Sequence, residues 1–423
     1  MIRSKYFNIA RLLHNEHRSI DELINYQTIA LKKLVRYAYD NVSFYKKLFD
    51  QHGFHPDNLR TIEDISLLPI IDKELLAQNS YDRLISKKYK MNSLIPVKTA
   101  GSNGTPYLFY IDHSFDQFRK AQFLRPYFTN GRRLFDHSVS FSVSKSKPVK
   151  WFNRIGLMSV TGIFSGSDIN NQIEVLKQVR PDIIQGYGSV LNLLSSKIIE
   201  DNIQIKKPRL IFTDSELLMP EMRENIEKAF CTKIYDIYGT FETDNIAYQC
   251  SRHEGYHIAV DCVILELIKN YKPIDADQEG EIVVTVLNNF AMPFIRYNLH
   301  DIGSLSKKIC SCGRTFPLLN QISGRASDYL VTEDDRKLSV FNLGKFSDLA
   351  PNVCEYQIIQ EDFNLFTILI VPNKSYNNEG KRKIVPAIKH FFPQAEVNIN
   401  LVPSIKREPS GKFKAFKSNI NSV

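Results

Sequence analysis

PRLIFTDSELLMPEMRENIEKAFCTKIYDIYGTFE, residues 208–242, has the pattern of a strand, a helix and a second strand. Residues 208–216 form an apolar run that ends in polar residues, which is typical of a buried strand. Residues 219–230 predict a helix with Pro220 near its first turn, and residues 233–242 predict another strand. Strands that alternate with helices predict an α/β core with a mostly parallel or mixed sheet, whose ligands bind beyond the carboxyl ends of the strands.

Outside this unit the apolar pattern changes along the chain. Residues 20–50 repeat apolar residues at three- and four-residue steps and predict an amphipathic helix that breaks near residues 41–43. Residues 93–112 predict a strand, a glycine-rich turn and a strand. Residues 258–289 alternate apolar and polar side chains more strictly, which favours antiparallel hairpins.

The pattern changes again from about residue 326. One helix is predicted at residues 381–392, and short strands surround it at residues 327–340, 355–371 and 395–402. We therefore predict an α/β fold with two domains, a large N-terminal α/β domain with mixed sheets over residues 1–325 and a small C-terminal α+β domain over residues 326–423.

The composition fits a globular chain with an anionic ligand. The 423 residues are 43% hydrophobic, which is enough for a sizeable core. The formal net charge of +9 is mild for this length. It fits an anionic ligand such as a nucleotide or a weak attraction to nucleic acid, and it does not by itself argue for either. We predict no nucleic-acid partner. The sequence contains no run of about 18 apolar residues and no signal-like apolar segment at its start. We therefore expect no membrane span and a cytoplasmic location.

Residues 99–107, TAGSNGTPY, are the candidate phosphate-binding loop. They lack the lysine of G-x-x-x-x-G-K-[ST] and do not match G-x-G-x-x-G. Glycines nevertheless let backbone N–H groups approach an anion, and hydroxyl groups donate hydrogen bonds to it; the candidates are Thr99, Gly101, Ser102, Gly104 and Thr105. The alternative is a plain hairpin turn at Asn103–Gly104.

Four further segments occur in a characteristic order: Tyr238-Gly-Thr-Phe-Glu242, Pro293-Phe-Ile-Arg-Tyr297 with Asp301, Ser323-Gly-Arg325 and Pro409-Ser-Gly-Lys412. Together they resemble the adenylate-forming superfamily of acyl-CoA synthetases. The branch that the chain is most similar to is the phenylacetate–CoA ligase family, which includes capsular polysaccharide biosynthesis proteins. Residues 34–76 and 310–325 are also similar to that branch, and the resemblance extends from about residue 20 to about residue 416.

The resemblance implies ATP-dependent activation of a carboxylic acid. The acid attacks the α-phosphate of ATP, pyrophosphate leaves, and the acyl-adenylate is captured, usually by the thiol of coenzyme A. ATP, Mg²⁺ and CoA are the implied cofactors and substrates. The N-terminal domain would be the adenylation domain, the C-terminal domain a mobile lid, and ATP would lie in the cleft between them.

The resemblance also implies a role for each matched residue. Glu242 would hold Mg²⁺, because a hard dication prefers carboxylate and phosphate oxygens. Lys412 would neutralise charge on the α-phosphate and carboxylate oxygens in the transition state.

Asp301 would accept the ribose hydroxyl groups, and Tyr238 would stack on adenine. Ser215 and Glu216 would line the other side of adenine, and Arg296 would steady the phosphate or the strand end; the remaining ATP-site candidates are Asp236, Gly239 and Arg325.

Several of these residues have a simpler interpretation. Tyr238 could pack in the core, Asp301 could cap a turn, and Lys412 lies in a lysine-rich tail of solvated side chains. Four residues are candidates for lining the acyl pocket, and they fit a position in the hydrophobic core equally well: Phe141, Phe164, Tyr187 and Gly188. The chain departs from the family pattern at three positions. Ala100 and Phe241 stand where residues with a hydroxyl group are common, and Ser327 stands where an acidic residue is common. These departures leave adenylation expected and make thioester formation less secure.

The cysteines suggest a metal site rather than disulfides. Cys310 and Cys312 form a close pair, and Cys250 and His253 lie about sixty residues upstream. Together they could supply the Cys₃His ligands of a closed structural zinc site, with His257 as the competing ligand. The alternative is four unrelated residues. Three further cysteines lie in apolar segments and are expected in the core, Cys231, Cys262 and Cys354.

The sequence leaves three functions open. The first is an acid–CoA ligase, and the second is an adenylating enzyme that passes the acyl group to an amine or a carrier during polysaccharide assembly. The third is a zinc-stabilised binding protein without catalytic activity. By analogy with relatives, a homodimer is one option for the oligomeric state.

Overall fold

A computed structural model describes residues 2–99, 107–142, 156–325, 329–334, 336–338, 352–377, 379–408 and 412–420. The chain forms two compact units. Unit 1 contains Met1–Gly131 and Ile237–Ile322, and unit 2 contains Arg132–Asp236 and Ser323–Val423. The predicted domain boundary at residue 325 remains a prediction.

The helices and strands follow one another along the chain. The helices are α1 Ile2–Asn15, α2 Ile20–Asn41, α3 Ser43–Gln51, α4 Lys73–Ala77, α5 Tyr81–Leu84, α6 His113–Thr129, α7 Ile169–Val179, α8 Gly188–Glu200, α9 Pro220–Phe230 and α10 Glu379–Phe391. The strands are β1 Ile95–Lys98, β2 Leu108–Ile111, β3 Ser138–Ser142, β4 Val160–Phe164, β5 Ile183–Gly186, β6 Leu210–Asp214, β7 Ile234–Thr240, β8 Asp244–Gln249, β9 Tyr256–Ile258, β10 Val263–Lys269, β11 Lys272–Pro273, β12 Glu279–Val286, β13 Tyr297–Ser306, β14 Leu318–Arg325, β15 Leu330–Val331, β16 Lys337–Leu338, β17 Val353–Asp362, β18 Leu365–Pro372, β19 Glu396–Leu401 and β20 Phe416–Ser418. Short 3₁₀ turns occur at Pro56–Asn58, Glu63–Leu67 and Met91–Ser93.

Unit 1 begins with helices and continues into antiparallel strands. Ser19 and Glu22 form a capping box at the start of α2, which satisfies backbone N–H groups that have no partner inside the helix. Val42 separates α2 from α3, so the predicted break is confirmed. β1 pairs antiparallel with β2 across residues 100–106, which lie outside the described residues. The larger strand order is β11-β10-β12-β13-β14-β9-β8-β7, in which β10 and β12 form one of the predicted hairpins.

Unit 2 has a parallel sheet with the strand order β7-β6-β5-β3-β4, where β7 contributes its first residues. The strand–helix–strand pattern predicted for residues 208–242 is confirmed as β6, α9 and β7. A second sheet has the order β19-β18-β17-β20 and carries α10 between β18 and β19. Apolar residues of both sheets and of α7 to α10 form one core, which includes Ile184, Ile226, Ile358 and Ile388.

These elements confirm the predicted fold class, an α/β fold with mixed sheets and a small C-terminal α+β region. β6 ends at Asp214 and is followed by Ser215 and Glu216, and β7 ends at Thr240, two residues before Glu242. The segments predicted to bind ATP therefore begin at strand ends. Within the described residues, no helix is long and apolar enough to cross a membrane.

Candidate active site

Tyr238 and Asp301 lie side by side in unit 1. The hydroxyl group of Tyr238, on β7, donates a 2.7 Å hydrogen bond to Oδ2 of Asp301, on β13. Asp301 is buried, and a buried carboxylate needs such a donor because it has lost its hydration. The structure thus brings together the residues predicted to contact adenine and ribose, and their contact with ATP remains a prediction.

Gly239, the next residue along β7, has no room for a side chain. A Cβ atom at this position would lie 2.2 Å from the carbonyl oxygen of Asp244. The β7–β8 pairing shifts its register between Tyr238 and Gly239, which is where the two backbones come close. Gly239 therefore allows β7 to approach β8 closely just before the turn that carries Glu242.

Glu242 is buried in the turn that follows β7. The hydroxyl group of Tyr297 lies 3.4 Å from Oε1 of Glu242, and burial, together with the charge of Glu242, raises the pKa of Tyr297. Arg119 holds the same turn, since its Nη2 donates to the carbonyl oxygen of Phe241 at 2.8 Å. Its Nε lies 3.4 Å from the carboxylate of Asp244. Arg119 therefore holds the turn that carries the carboxylate predicted to bind Mg²⁺, and the carboxylate itself contacts the hydroxyl group of Tyr297.

The described residues of the phosphate-loop candidate are its two ends, Thr99 and Tyr107. Thr99 N–H donates to the carbonyl oxygen of Tyr107 at 2.8 Å, and Tyr107 N–H donates to Oγ1 of Thr99 at 2.9 Å. These bonds join the two ends of the segment. The other loop candidates lie outside the described residues, namely Gly101, Ser102, Gly104 and Thr105. The phosphate-binding role of the loop remains a prediction.

The guanidinium group of Arg296 is surrounded by protein groups. Its Nη2 and Nε donate to the two carboxylate oxygens of Glu266 at 2.9 and 3.1 Å. Its Nη1 donates to the carbonyl oxygens of Ser66 and Leu68. Burial raises the pKa of Glu266, and the charge of Arg296 opposes that effect. Arg296 therefore joins β13 to the segment before α4, while its predicted contact with phosphate remains a prediction.

Unit 2 holds the second group of ATP-site candidates. Asp236, the third residue of β7, accepts a 2.6 Å hydrogen bond from the hydroxyl group of Thr213 on β6. Ser215 follows β6 with a φ of 69° and donates to Oδ1 of Asp214 at 2.8 Å. A positive φ is costly for serine, and strained backbone of this kind is common at binding sites. Arg325 is the last residue of β14, and Ser327 lies outside the described residues.

Glu216 connects three segments of unit 2. Its Oε2 accepts the backbone N–H of Ser189 at 3.1 Å, and its Oε1 accepts that of Phe413 at 2.7 Å. Burial raises the pKa of Glu216, and these two N–H groups oppose the rise. Phe413 directly follows Lys412, so the structure places the predicted catalytic lysine next to a residue that Glu216 holds. The sequence indicated neither partner of Glu216.

The four acyl-pocket candidates are all in unit 2 but differ in exposure. Phe141 is buried in the core, where a Cβ atom at Gly186 would lie 3.0 Å from the Phe141 Cβ. Phe164 is 42% exposed. Tyr187 precedes α8, and burial, with the nearby carboxylates of Asp214 and Glu216, raises its pKa to about 12. Gly188, the first residue of α8, is buried. An acyl-binding role for these residues remains a prediction.

A cluster of three cysteines and one histidine lies in unit 1, formed by Cys250, His257, Cys310 and Cys312. Their ligand atoms all lie within 4.8 Å of one another. The Sγ atoms of Cys250 and Cys310 are 3.6 Å apart, and Nε2 of His257 is 3.4 Å from Sγ of Cys312. Tetrahedral zinc with bonds of about 2.3 Å to sulfur places two sulfur ligands about 3.8 Å apart, so this cluster fits the ion.

The histidine in the cluster is His257 and not His253, which was the first choice from the sequence. His257 lies on β9 and pairs with Leu318 of β14, so the strand pairing carries it towards Cys310 and Cys312. His253 lies in the turn after β8 with a φ of 54°. Burial and the charge of Arg314 lower the pKa of His257, which favours the neutral imidazole that a metal requires.

Known proteins are similar to this chain in sequence and in fold. The family model for the CapK C-terminal domain matches residues 330–419. Protein CapK of Staphylococcus aureus is 25% identical over 420 residues, which cover 95% of this chain and 91% of CapK. Phenylacetate-coenzyme A ligase of Escherichia coli (strain K12) is 26% identical over 356 residues, which cover 80% of this chain and 79% of that ligase. The crystal structure of 2-hydroxyisobutyryl-CoA ligase in the postadenylation state, in complex with 2-HIB-AMP, has a TM-score of 0.80 at 18% identity and covers 96% of this chain and 91% of its own.

Proposed function

We propose that this chain, a homologue of CapK and of the phenylacetate-CoA ligases with the fold of the adenylate-forming CoA ligases, uses ATP to activate a carboxylic acid and transfers the acyl group to CoA. The observation that carries the proposal is the hydrogen bond between Tyr238 and Asp301 in unit 1. It joins two residues that the sequence assigned separately to the adenosine part of ATP. Glu242 is fixed in the turn that follows the strand of Tyr238.

Each of these side chains has a task in the first half-reaction. Asp301 accepts the ribose hydroxyl groups, because a carboxylate can accept two O–H bonds at once, and Tyr238 packs its ring against adenine. The fixed carboxylate of Glu242 offers the hard oxygen that Mg²⁺ prefers. When bound, the ion would neutralise charge on the phosphates. The acid attacks the α-phosphate, the bond to pyrophosphate breaks, and the acyl-adenylate forms.

Lys412 supplies positive charge where the transition state develops negative charge, on the α-phosphate and the carboxylate oxygens. The peptide that follows Lys412 is held at both of its polar groups, since its carbonyl oxygen accepts the N–H of Glu408 at 3.0 Å and its N–H, that of Phe413, donates to Glu216. A lysine that is held in this way requires little reorganisation when the reaction occurs.

ATP–pyrophosphate exchange with Mg²⁺ tests the proposal on a panel of aryl, fatty and amino acids. Exchange is expected with one class of acid. Glu242→Gln and Lys412→Ala should each lower the exchange rate about 10²-fold or more, because each removes charge stabilisation from the transition state. Lys417→Ala is the matched control, since Lys417 is an exposed lysine of the same segment. If no acid supports exchange and the chain does not bind ATP, the proposed enzymatic function is refuted and a binding protein is favoured.

CoA is the proposed acceptor, and a second acceptor has a specific observation in its favour. The match to CapK extends over 95% of the chain, and the CapK C-terminal domain model covers residues 330–419. The alternative is therefore that an amine or a carrier in polysaccharide assembly takes the acyl group. Mass spectrometry of the products after addition of CoA separates the two. An acyl-CoA product supports the first, while adenylation without an acyl-CoA product favours the second.

We also propose that the Cys₃His cluster binds a structural zinc ion. Cys250, His257, Cys310 and Cys312 supply four ligand atoms, and tetrahedral zinc with four protein ligands leaves no open position for catalysis. The purified chain should contain about one zinc ion per molecule by elemental analysis. Cys310→Ser should lose the metal, and Cys231→Ser, which changes an exposed cysteine of unit 2, should keep it. A wild-type chain without metal would refute the site.

A further inference from the structure

The carboxylate of Glu216 is bonded on both oxygens to backbone N–H groups. One N–H belongs to Ser189, in the first turn of α8, and the other to Phe413, the residue after Lys412. The bond to Phe413 is 2.7 Å long, which is short for N–H donation and typical of an ionised acceptor. The peptide between Lys412 and Phe413 is planar, so holding this N–H restrains the plane that begins at the Cα atom of Lys412.

Arg407 holds the same segment from another direction. Its guanidinium group forms an ion pair with the buried carboxylate of Glu355. The group also lies over the ring of Phe413, with 4.9 Å between Cζ and the ring centroid. A cation over an aromatic face is attracted to the ring, more strongly where water is excluded. Phe413 is therefore held through its backbone by Glu216 and through its ring by Arg407.

The backbone on either side of Phe413 is also fixed. Glu408 N–H donates to the carbonyl oxygen of Lys412 at 3.0 Å. Ala415 accepts from Ile358 N–H at 2.8 Å, directly before β20 pairs with β17. The strand bonds hold the end of the segment, but they do not orient the peptide that follows Lys412. Glu408 N–H holds that peptide at its carbonyl oxygen, and Glu216 holds it at its N–H.

We infer that Glu216 is a positioning residue for adenylation, which holds the Lys412–Phe413 peptide so that the ammonium group of Lys412 is presented to the α-phosphate. Glu216, Arg407, Glu355 and Phe413 together are termed the lysine latch. The catalytic consequence, the placement of Lys412 for adenylation, rests on the proposed function. The structural consequence, a held Lys412–Phe413 peptide, rests on the hydrogen bonds alone. It differs from the role expected from the sequence, in which Glu216 lines the adenine ring.

Kinetics of the two half-reactions test the catalytic consequence. Glu216→Ala should lower kcat for ATP–pyrophosphate exchange about 10- to 100-fold, because Lys412 is misplaced, and should leave the KM for ATP within about twofold. Lys412 is proposed to act on the α-phosphate during adenylation, so thioester formation from a synthetic acyl-adenylate and CoA should stay within about threefold of wild type. Glu216→Gln keeps one acceptor oxygen and should fall between Glu216→Ala and wild type.

Glu227→Ala is the matched control. Glu227 is also a carboxylate of unit 2 that accepts a backbone N–H, from Ile234 at 3.1 Å, and it serves another segment. Both half-reactions of this variant should keep wild-type rates. An adenine contact at Glu216 would instead raise the KM for ATP and leave kcat unchanged, and that result would overturn the inference.

Hydrogen exchange of the apo protein tests the structural consequence without any activity. In Glu216→Ala the amide of Phe413, followed in peptides that cover residues 412–418, should exchange about tenfold faster than in wild type, while β18 keeps its protection. Glu227→Ala should leave the Phe413 amide unchanged. Equal exchange in Glu216→Ala and wild type would refute the latch. Absent ATP–pyrophosphate exchange together with absent ATP binding in the wild type would refute the proposed function and leave this readout intact.

Discussion

The hydroxyl group of Tyr238 donates to Oδ2 of Asp301 over 2.7 Å, although the two residues are 63 positions apart in the chain. The bond fixes one oxygen of the carboxylate and the edge of the tyrosine ring at the same time. A ribose hydroxyl that binds Asp301 would therefore meet a carboxylate of fixed orientation. The predicted adenine contact of Tyr238 and the predicted ribose contact of Asp301 are therefore coupled. Substitutions at these two residues should have non-additive effects on ATP binding.

Asp301→Ala should weaken ATP binding more than Tyr238→Phe does. The alanine variant loses a charged acceptor, and hydrogen bonds to charged groups contribute about 1.5–3 kcal/mol, so the Kd for ATP should rise about 10- to 100-fold. Tyr238→Phe keeps the ring and loses only the hydroxyl group that orients Asp301, so a rise of about three- to tenfold is expected. Isothermal titration calorimetry with ATP and Mg²⁺ measures both.

Tyr39→Phe is the control for this pair. The Tyr39 hydroxyl group donates to Oδ1 of Asp50 at 2.8 Å on the surface of the same unit. Its removal should not change the Kd for ATP. A double variant, Tyr238→Phe with Asp301→Ala, should bind ATP no more weakly than Asp301→Ala alone, because the hydroxyl group acts through the carboxylate. Fully additive losses would show that the two residues bind ATP independently.

Arg296→Met should lower stability rather than ATP affinity. It would leave the carboxylate of Glu266 buried without its cation, and loss of one partner of a buried pair typically costs about 3–5 kcal/mol of unfolding free energy. Replacing both residues, as Arg296→Met with Glu266→Gln, should recover part of that loss. Urea unfolding measures the free energies, and the KM for ATP of the folded variants tests the phosphate contact predicted from the sequence.

Lys46→Met provides the comparison for this pair. Lys46 and Asp50 form an exposed ion pair with 2.8 Å between Nζ and Oδ2, so the change should alter stability far less than Arg296→Met. If Arg296→Met is as stable as wild type but raises the KM for ATP, the ion pair is dispensable and Arg296 acts on the nucleotide.

His257→Ala should lose the proposed zinc ion, whereas His253→Ala should keep it. His257 contributes one of the four clustered ligand atoms, and a structural metal site with three ligands binds less tightly. Elemental analysis after dialysis against a chelator measures retention, and thermal unfolding measures the accompanying loss of stability. Metal loss in His253→Ala, with retention in His257→Ala, would assign the ligand to the other histidine.

The elements and the family could be predicted from the sequence because their signals are local. The apolar repeat of residues 20–50 and its interruption at Val42 correspond to α2 and α3, and the apolar runs around α9 correspond to β6 and β7. The resemblance to the adenylate-forming CoA ligases rests on short motifs, and the homologues and the fold confirm it.

Partners that are distant in the chain could not be predicted in this way. The choice of His257 depends on the pairing of β9 with β14, because a C-x₂-H spacing considers only neighbours along the chain. Glu216 was assigned from its motif, but Ser189 and Phe413 are 27 and 197 positions away from it. A motif indicates which side chains perform the chemistry, while the fold determines what holds them.

Burial raises the pKa of Glu355 to about 7, against the opposing effect of the Arg407 charge. In the unfolded chain this carboxyl group titrates near its ordinary value of 4.5. Between these two pH values the folded state binds more protons than the unfolded state, so the unfolding free energy falls as pH rises from about 4.5 through about 7. Glu355→Gln removes this dependence. The stability of the variant relative to wild type should therefore rise by about 2 kcal/mol from pH 5 to pH 8, measured by urea unfolding.

Glu361→Gln, which changes an exposed glutamate of the same strand, controls for the loss of a carboxylate. A relative stability of Glu355→Gln that stays constant with pH would show that Glu355 remains ionised in the folded chain and that Arg407 compensates fully for its burial.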